Sequence, residues 1–232
     1  MQEPRRVAVE SVWCRRLEAA AAAALPKPQW ESLRSASPEA KRQFQESFAD
    51  EFGHTRTTDA PLLARLLGIP TSEAESRQRE APTLPHQPHA ALWWRLTASR
   101  PHGLRLDEQG PLFPELRTES IESWTEAELS GLQALAWWMV ASPHDQGLAE
   151  RVQRHTEFLI AELQPDNATN RPWGIGVFAF MAQRDQRIEA DHYAQTQLHN
   201  CTVTFAKPDR LSALILLDAA EWMRAMEAAN RP

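Results

Sequence analysis

Cysteine is nearly missing from this chain of 232 residues: Cys14 and Cys201 are the only two, far apart and at no metal or redox spacing. Both are expected to be reduced, buried, small apolar side chains. Tyrosine occurs once and glycine eight times, against seventeen prolines and nine tryptophans. That balance disfavours a many-turned β architecture and points to helices broken by proline. No run of about 18 apolar residues occurs, so a membrane span is not expected. A surplus of positive charge is also missing, with 25 Lys and Arg against 31 Asp and Glu. The net charge of −6 and the lack of a basic stripe argue against a general nucleic-acid binder. What is present is 42% hydrophobic residues, enough for a sizeable core in one domain with appendages or in two small ones.

Near the start, Arg5, Arg6, Arg15 and Arg16 precede an alanine-rich segment from Ala19 to Leu25. Its apolar length is short, alanine is a weak signal core and Glu18 interrupts it, so it reads as a helix of a cytoplasmic protein, with a cleaved presequence as the alternative. Asn167-Ala168-Thr169 and Asn200-Cys201-Thr202 fit the glycosylation pattern, which matters only in a secreted chain.

Proline punctuates the N-terminal third. A first helix is expected over residues 8–25, stopped by Pro26 and Pro28. Ser37, Pro38 and Glu39 read as N-cap, first-turn proline and first-turn acid, and Phe44, Phe48 and Phe52 recur every four residues as an aromatic core stripe. A shorter helix should run from Asp59 to Leu67, ended by Gly68 and Pro70. Residues 1–68 are therefore expected as a small N-terminal helical unit, and the Pro-rich stretch 69–88 as an exposed linker. His86 and His89 fall in or beside that stretch, but no carboxylate or cysteine accompanies them at a ligand spacing, so no metal is expected there.

Residues 89–232 carry the strongest helical signal. Ala90 to Ser99 reads as a helix, followed by an irregular stretch from Pro101 to Glu122. Ser123 with Glu126 makes a capping box ahead of the apolar face Leu129, Leu132, Leu135 and Met139. Ser142-Pro143 restarts a helix with Leu148, Val152, His155, Leu159 and Leu163 on one face. His155 reads as a satisfied core histidine, with a catalytic role as the alternative. Residues 173–182 should form the most buried helix. The next, over 187–200, has Ala190, Ala194, Leu198 and Cys201 inward and places His192 and His199 on the opposite, solvated face, which again gives no metal site. Asp209 is a good N-cap for a last helix from Leu211 to Ala229. Asp218 sits at the border of its apolar face, either turned to solvent beside Glu221 or buried and paired, with Arg171 as one candidate partner.

Between two of these helices lies the polar turn from Gln164 to Gly174. Pro165 ends one helix and Pro172 suits the first turn of the next. Asp166, Asn167, Thr169 and Asn170 can each satisfy local backbone N–H groups, and that alone accounts for their presence. Arg171 and Trp173 add a cation and a stacking surface beside a helix N-terminus, where a small polar or anionic ligand is favoured.

The passage from Phe158 to Asn167, closing on Pro172-Trp173-Gly174, resembles the hairpin turns of α/α-toroid proteins of the terpenoid cyclase and prenyltransferase type. The likeness covers residues 123–229 and lacks the paired glycines of that turn, the acidic cyclisation motif and the Asp, Cys and His zinc set. It implies an all-α fold, an antiparallel α-hairpin array like part of an α/α toroid, joined to the small N-terminal helical unit. The functional expectation is a non-catalytic intracellular protein that binds a protein, a second copy of itself or a small polar ligand, with no cofactor, metal, nucleic acid or membrane. Its ligand residues are Asp166, Asn167, Asn170, Arg171, Trp173, Asp209 and Asp218. The alternative is a toroid-type enzyme using carboxylates such as Asp166, Asp209 and Asp218 on a carbohydrate or isoprenoid.

Overall fold

In a computed structural model that describes residues 11–70, 88–97, 110–165 and 170–229, every regular element is a helix and the protein is all-α. In chain order the helices are α1 (Val12–Ala22), α2 (Lys27–Arg34), α3 (Pro38–Ser47), α4 (Asp59–Leu67) and α5 (Pro88–Thr97). A short 3-10 turn (Pro114–Thr118) precedes α6 (Ile121–Ala141), α7 (Gln146–Glu162), α8 (Ile175–Asp185), α9 (Ile188–Val203) and α10 (Arg210–Ala229).

Local chemistry sets most of these boundaries. The Ser37 hydroxyl accepts from the Ala40 N–H at 3.3 Å with Pro38 in the first turn, and the Asp209 carboxylate accepts from the Ser212 N–H at 2.9 Å to open α10. Three boundaries differ from expectation. Pro28 does not stop the first helix but opens α2, where a first-turn proline lacks only an N–H that has no intrahelical partner. Helix α3 ends at Ser47, so the aromatic stripe breaks: Phe48 is buried while Phe52 is exposed. The cause is Asp50, whose Oδ1 accepts the Phe52 and His54 N–H groups at 2.9 Å each and turns the chain. Helix α6 starts three residues early because Ser120, rather than Ser123, caps it by accepting the Ser123 N–H at 3.2 Å. Glu126 is thereby released from the capping role.

Packing joins the first and last described helices. Helix α1 lies along α10, which also receives α8, while α9 pairs with α8, α6 with α5, and α4 with α5 and α10. Gly176 makes the α8 to α10 approach close, since a Cβ there would stand 3.1 Å from the Ala219 Cβ and carbonyl oxygen. The core runs without a break from Trp13, Leu17 and Leu63 through Trp93, Leu132 and Phe178 to Trp222. Residues on both sides of the expected linker thus share one core, and the linker itself, apart from its edges, falls outside the described residues. A polar spine ties the same helices: Arg34 of α2 donates to Glu221 at 2.6 Å, and Arg65 of α4 donates to Asp218 at 2.5 Å.

Candidate functional site

Arg171 is buried, not offered to a ligand. Its guanidinium pairs with Asp209 and, at 3.1 Å, with Asp50, so the loop after α3 takes up the cation that the sequence suggested for a binding corner. Hydrogen bonds from His54, Arg56 and Phe52 outweigh the burial that would raise Asp50, and hold its carboxyl below the usual range. Asn170 is exposed, and its carbonyl accepts from the Ser212 hydroxyl at 3.4 Å. Asp166 and Asn167 lie outside the described residues.

Asp218 is fully buried, which corrects the solvent-facing expectation, and its partner is Arg65 rather than Arg171. It also accepts from the Gln133 amide at 2.6 Å and the Trp137 indole at 2.8 Å, while the Arg65 guanidinium stacks 3.7 Å from the Trp137 ring. With every neighbour a donor, Asp218 joins helices and is committed to that task. Asp209 and Asp218 therefore sit in separate ion pairs, with Arg171 and Arg65.

Trp173 is the expected residue that does reach a cavity, although its ring is 1% exposed and offers no stacking face. The indole leans on Trp93, with ring centres 5.5 Å apart, and its Nε1–H donates to the Glu126 carboxylate at 3.3 Å. Here a cleft of about 340 Å³ opens between the 56–58 loop, α5, the 3-10 turn and the first half of α6. Glu126, Glu119, Ser123, Ser130 and His89 line it beside Trp173. Register on α6 explains the grouping, since Ser123, Glu126 and Ser130 follow each other at spacings of three and four and so share one face.

Burial dominates the electrostatics of this corner. It pushes the Glu126 carboxyl up, an effect that the nearby Arg171 and Arg56 only partly offset. It raises Asp59, at the start of α4, to about 6, with one oxygen held by the Arg56 N–H at 2.8 Å and Oδ1 without a hydrogen-bond partner. It pulls His89 down to about 4, so the imidazole is neutral near pH 7, and its buried Nδ1 has no hydrogen-bond partner. An acid held up beside a base held down is the arrangement from which ligand contacts or proton transfers are made.

A second buried group is structural. Glu128 accepts the Leu112 and Phe113 N–H groups at 2.7 and 2.8 Å, and the Trp124 indole at 3.0 Å, which straps the 110–113 segment to α6. His155 touches it, Nε2 lying 3.2 Å from Oε2, and burial lowers that imidazole to about 3. His155 is thus a neutral core histidine. His192 and His199 are exposed, as their positions on α9 suggested.

The sequence missed Asp50, Arg56, Asp59, His89 and Glu126 as members of this corner. Asp50 fell within the expected helical stripe from Phe44 to Phe52, Asp59 only began a helix, Glu126 looked like a capping-box acid, and His89 like linker. Among the described residues no three histidine, cysteine or carboxylate side chains converge as metal ligands. The chain matches no protein-family model, no curated protein and no solved structure.

Proposed function

We propose that this protein binds a small polar molecule in the cleft beside Trp173, with Glu126 as the anchoring side chain. The observation that carries the reading is a carboxylate turned into a concave site with an indole N–H as its hydrogen-bond partner and no arginine paired to it among the described residues. A volume of about 340 Å³ lies at the small end of ligand pockets. Serine hydroxyls, a carboxylate and a neutral imidazole give such a site several hydrogen-bonding groups beside the apolar surface of Leu116 and Ala127. This keeps the ligand-binding function expected from the sequence but moves it from the Arg171 side of the turn to the Trp173 side. The test is a fragment screen by NMR on isotope-labelled protein. Shifts are expected on the Trp173 indole N–H and on the backbone of Ser123 and Ala127. Shifts confined to the groove between α1, α2 and α10 would refute the placement.

A second reading is catalytic. Glu119 and Glu126 line the same cleft, and two carboxyl groups facing one cleft, one of them raised by burial, are the kind of residues that acid and base hydrolysis of a carbohydrate uses. Turnover of a glycoside that is lost in Glu126→Gln and kept in Asp218→Glu supports it.

A further inference from the structure

Among the described residues the charges around the cleft do not balance. Four acids, Asp50, Asp59, Glu126 and Asp209, gather about two guanidiniums, Arg56 and Arg171. Both guanidiniums are already committed: Arg56 lies 3.0 Å from Asp50, and Arg171 bridges Asp50 and Asp209. Asp59 and Glu126 are left without a hydrogen-bonded cation among the described residues. Leaving a buried carboxylate in that state is costly, because desolvation is not repaid by a counter-charge.

From this imbalance we infer that the ligand of the cleft is an organic cation, an ammonium or guanidinium group held by the Glu126 carboxylate. The inference rests on the cleft being the binding site. His89 is consistent with it: burial keeps this lining imidazole uncharged near neutral pH, so it does not repel a cation. An anion fits poorly. It meets Glu119 and Glu126, and the one arginine of the lining, Arg56, is turned to Asp50. A bare metal ion fits poorly too, since no three ligating side chains converge among the described residues, whereas an organic cation brings its own N–H donors to the carboxylate, imidazole and hydroxyl oxygens. Binding completes the charge set and requires Glu126 to be ionised, so cation binding releases a proton wherever the free carboxyl still holds one.

The experiment uses the full chain and four probes of one size: butylammonium, butylguanidinium, 1-butanol and butyrate. Affinity is followed by the NMR signal of the Trp173 indole N–H, the group that donates to Glu126. Both cations are expected to move that signal and to bind at least about tenfold more tightly than the alcohol, with affinity rising as pH is raised through the Glu126 titration. Glu126→Gln keeps an oxygen to accept the indole N–H, so it should fold normally and lose at least about tenfold in cation affinity, whereas Glu119→Gln should lose less. Butanol or butyrate binding as well as the cations, at the same signal, overturns the charge assignment and leaves the cleft as the site. Undiminished cation binding by Glu126→Gln also overturns it. If no probe moves the Trp173 signal, the charge assignment and the cleft reading fall together.

Discussion

Asp50 and Arg171 meet at 3.1 Å although 121 positions of chain separate them. The contact fastens the loop after α3 to the residue that leads into α8 and takes the Arg171 guanidinium out of solvent. Truncating Asp50 removes one of the two carboxylates paired with Arg171 and leaves the Phe52 and His54 N–H groups without their acceptor. Asp50→Ala is expected to lower unfolding stability by about 3 kcal/mol, the low end for breaking a buried pair because one partner remains. Urea denaturation measures it, and a loss under about 1 kcal/mol would show the pair to be dispensable.

Asp59 gives stability a pH dependence of definite sign. Its folded pKa of about 6 lies above the unfolded value, so the folded state holds the proton more tightly. The resulting penalty is absent below about pH 4, grows between about pH 4 and 6, and is constant above, reaching roughly 3 kcal/mol for a shift of about two pKa units. Asp59→Asn removes the titration. Relative to the parent it should gain about 2 to 3 kcal/mol between pH 4 and pH 8 in unfolding measured at both. A difference that does not vary with pH contradicts this.

Close packing at Gly176 predicts a steric cost. Alanine there places its methyl 3.1 Å from the Ala219 Cβ and carbonyl oxygen, and backbone cannot move aside as a flexible side chain can. Gly176→Ala should destabilise by about 1 to 3 kcal/mol, although alanine is the better helix former. Thermal unfolding that rises instead would mean α8 and α10 separate easily.

Glu126 is expected to show the opposite trade. Burial raises its carboxyl, which marks the charged form as disfavoured in the folded protein. Glu126→Gln, which removes the charge but keeps an acceptor for the Trp173 indole N–H, should raise stability by about 1 kcal/mol near neutral pH while weakening ligand binding. Equal or lower stability with binding retained would separate this residue from the cleft's purpose.

Helix type and order were largely readable from the chain because they depend on neighbours three or four positions away. The caps at Ser37 and Asp209, the buried run of α8 and the end of α4 all follow from such spacing. The candidate site was legible only at Trp173. Arg171 is the right kind of residue for an anion site, but its role is set by Asp50, and nothing in the local pattern reports a partner that far along the chain. Asp218 likewise is explained by Arg65, 153 positions away. Glu126 was hidden for a smaller reason: Ser120 and Ser123 both precede it as plausible caps, and a three-residue shift in the helix start decides whether its carboxylate serves the backbone or the cleft.

The pairing of α1 with α10 has a consequence during synthesis. Trp13, Cys14 and Leu17 find their principal docking surface only when the last described helix has emerged from the ribosome. Until that helix is made this apolar stripe stays bare, so a contact between helices at opposite ends of the described sequence closes late in folding.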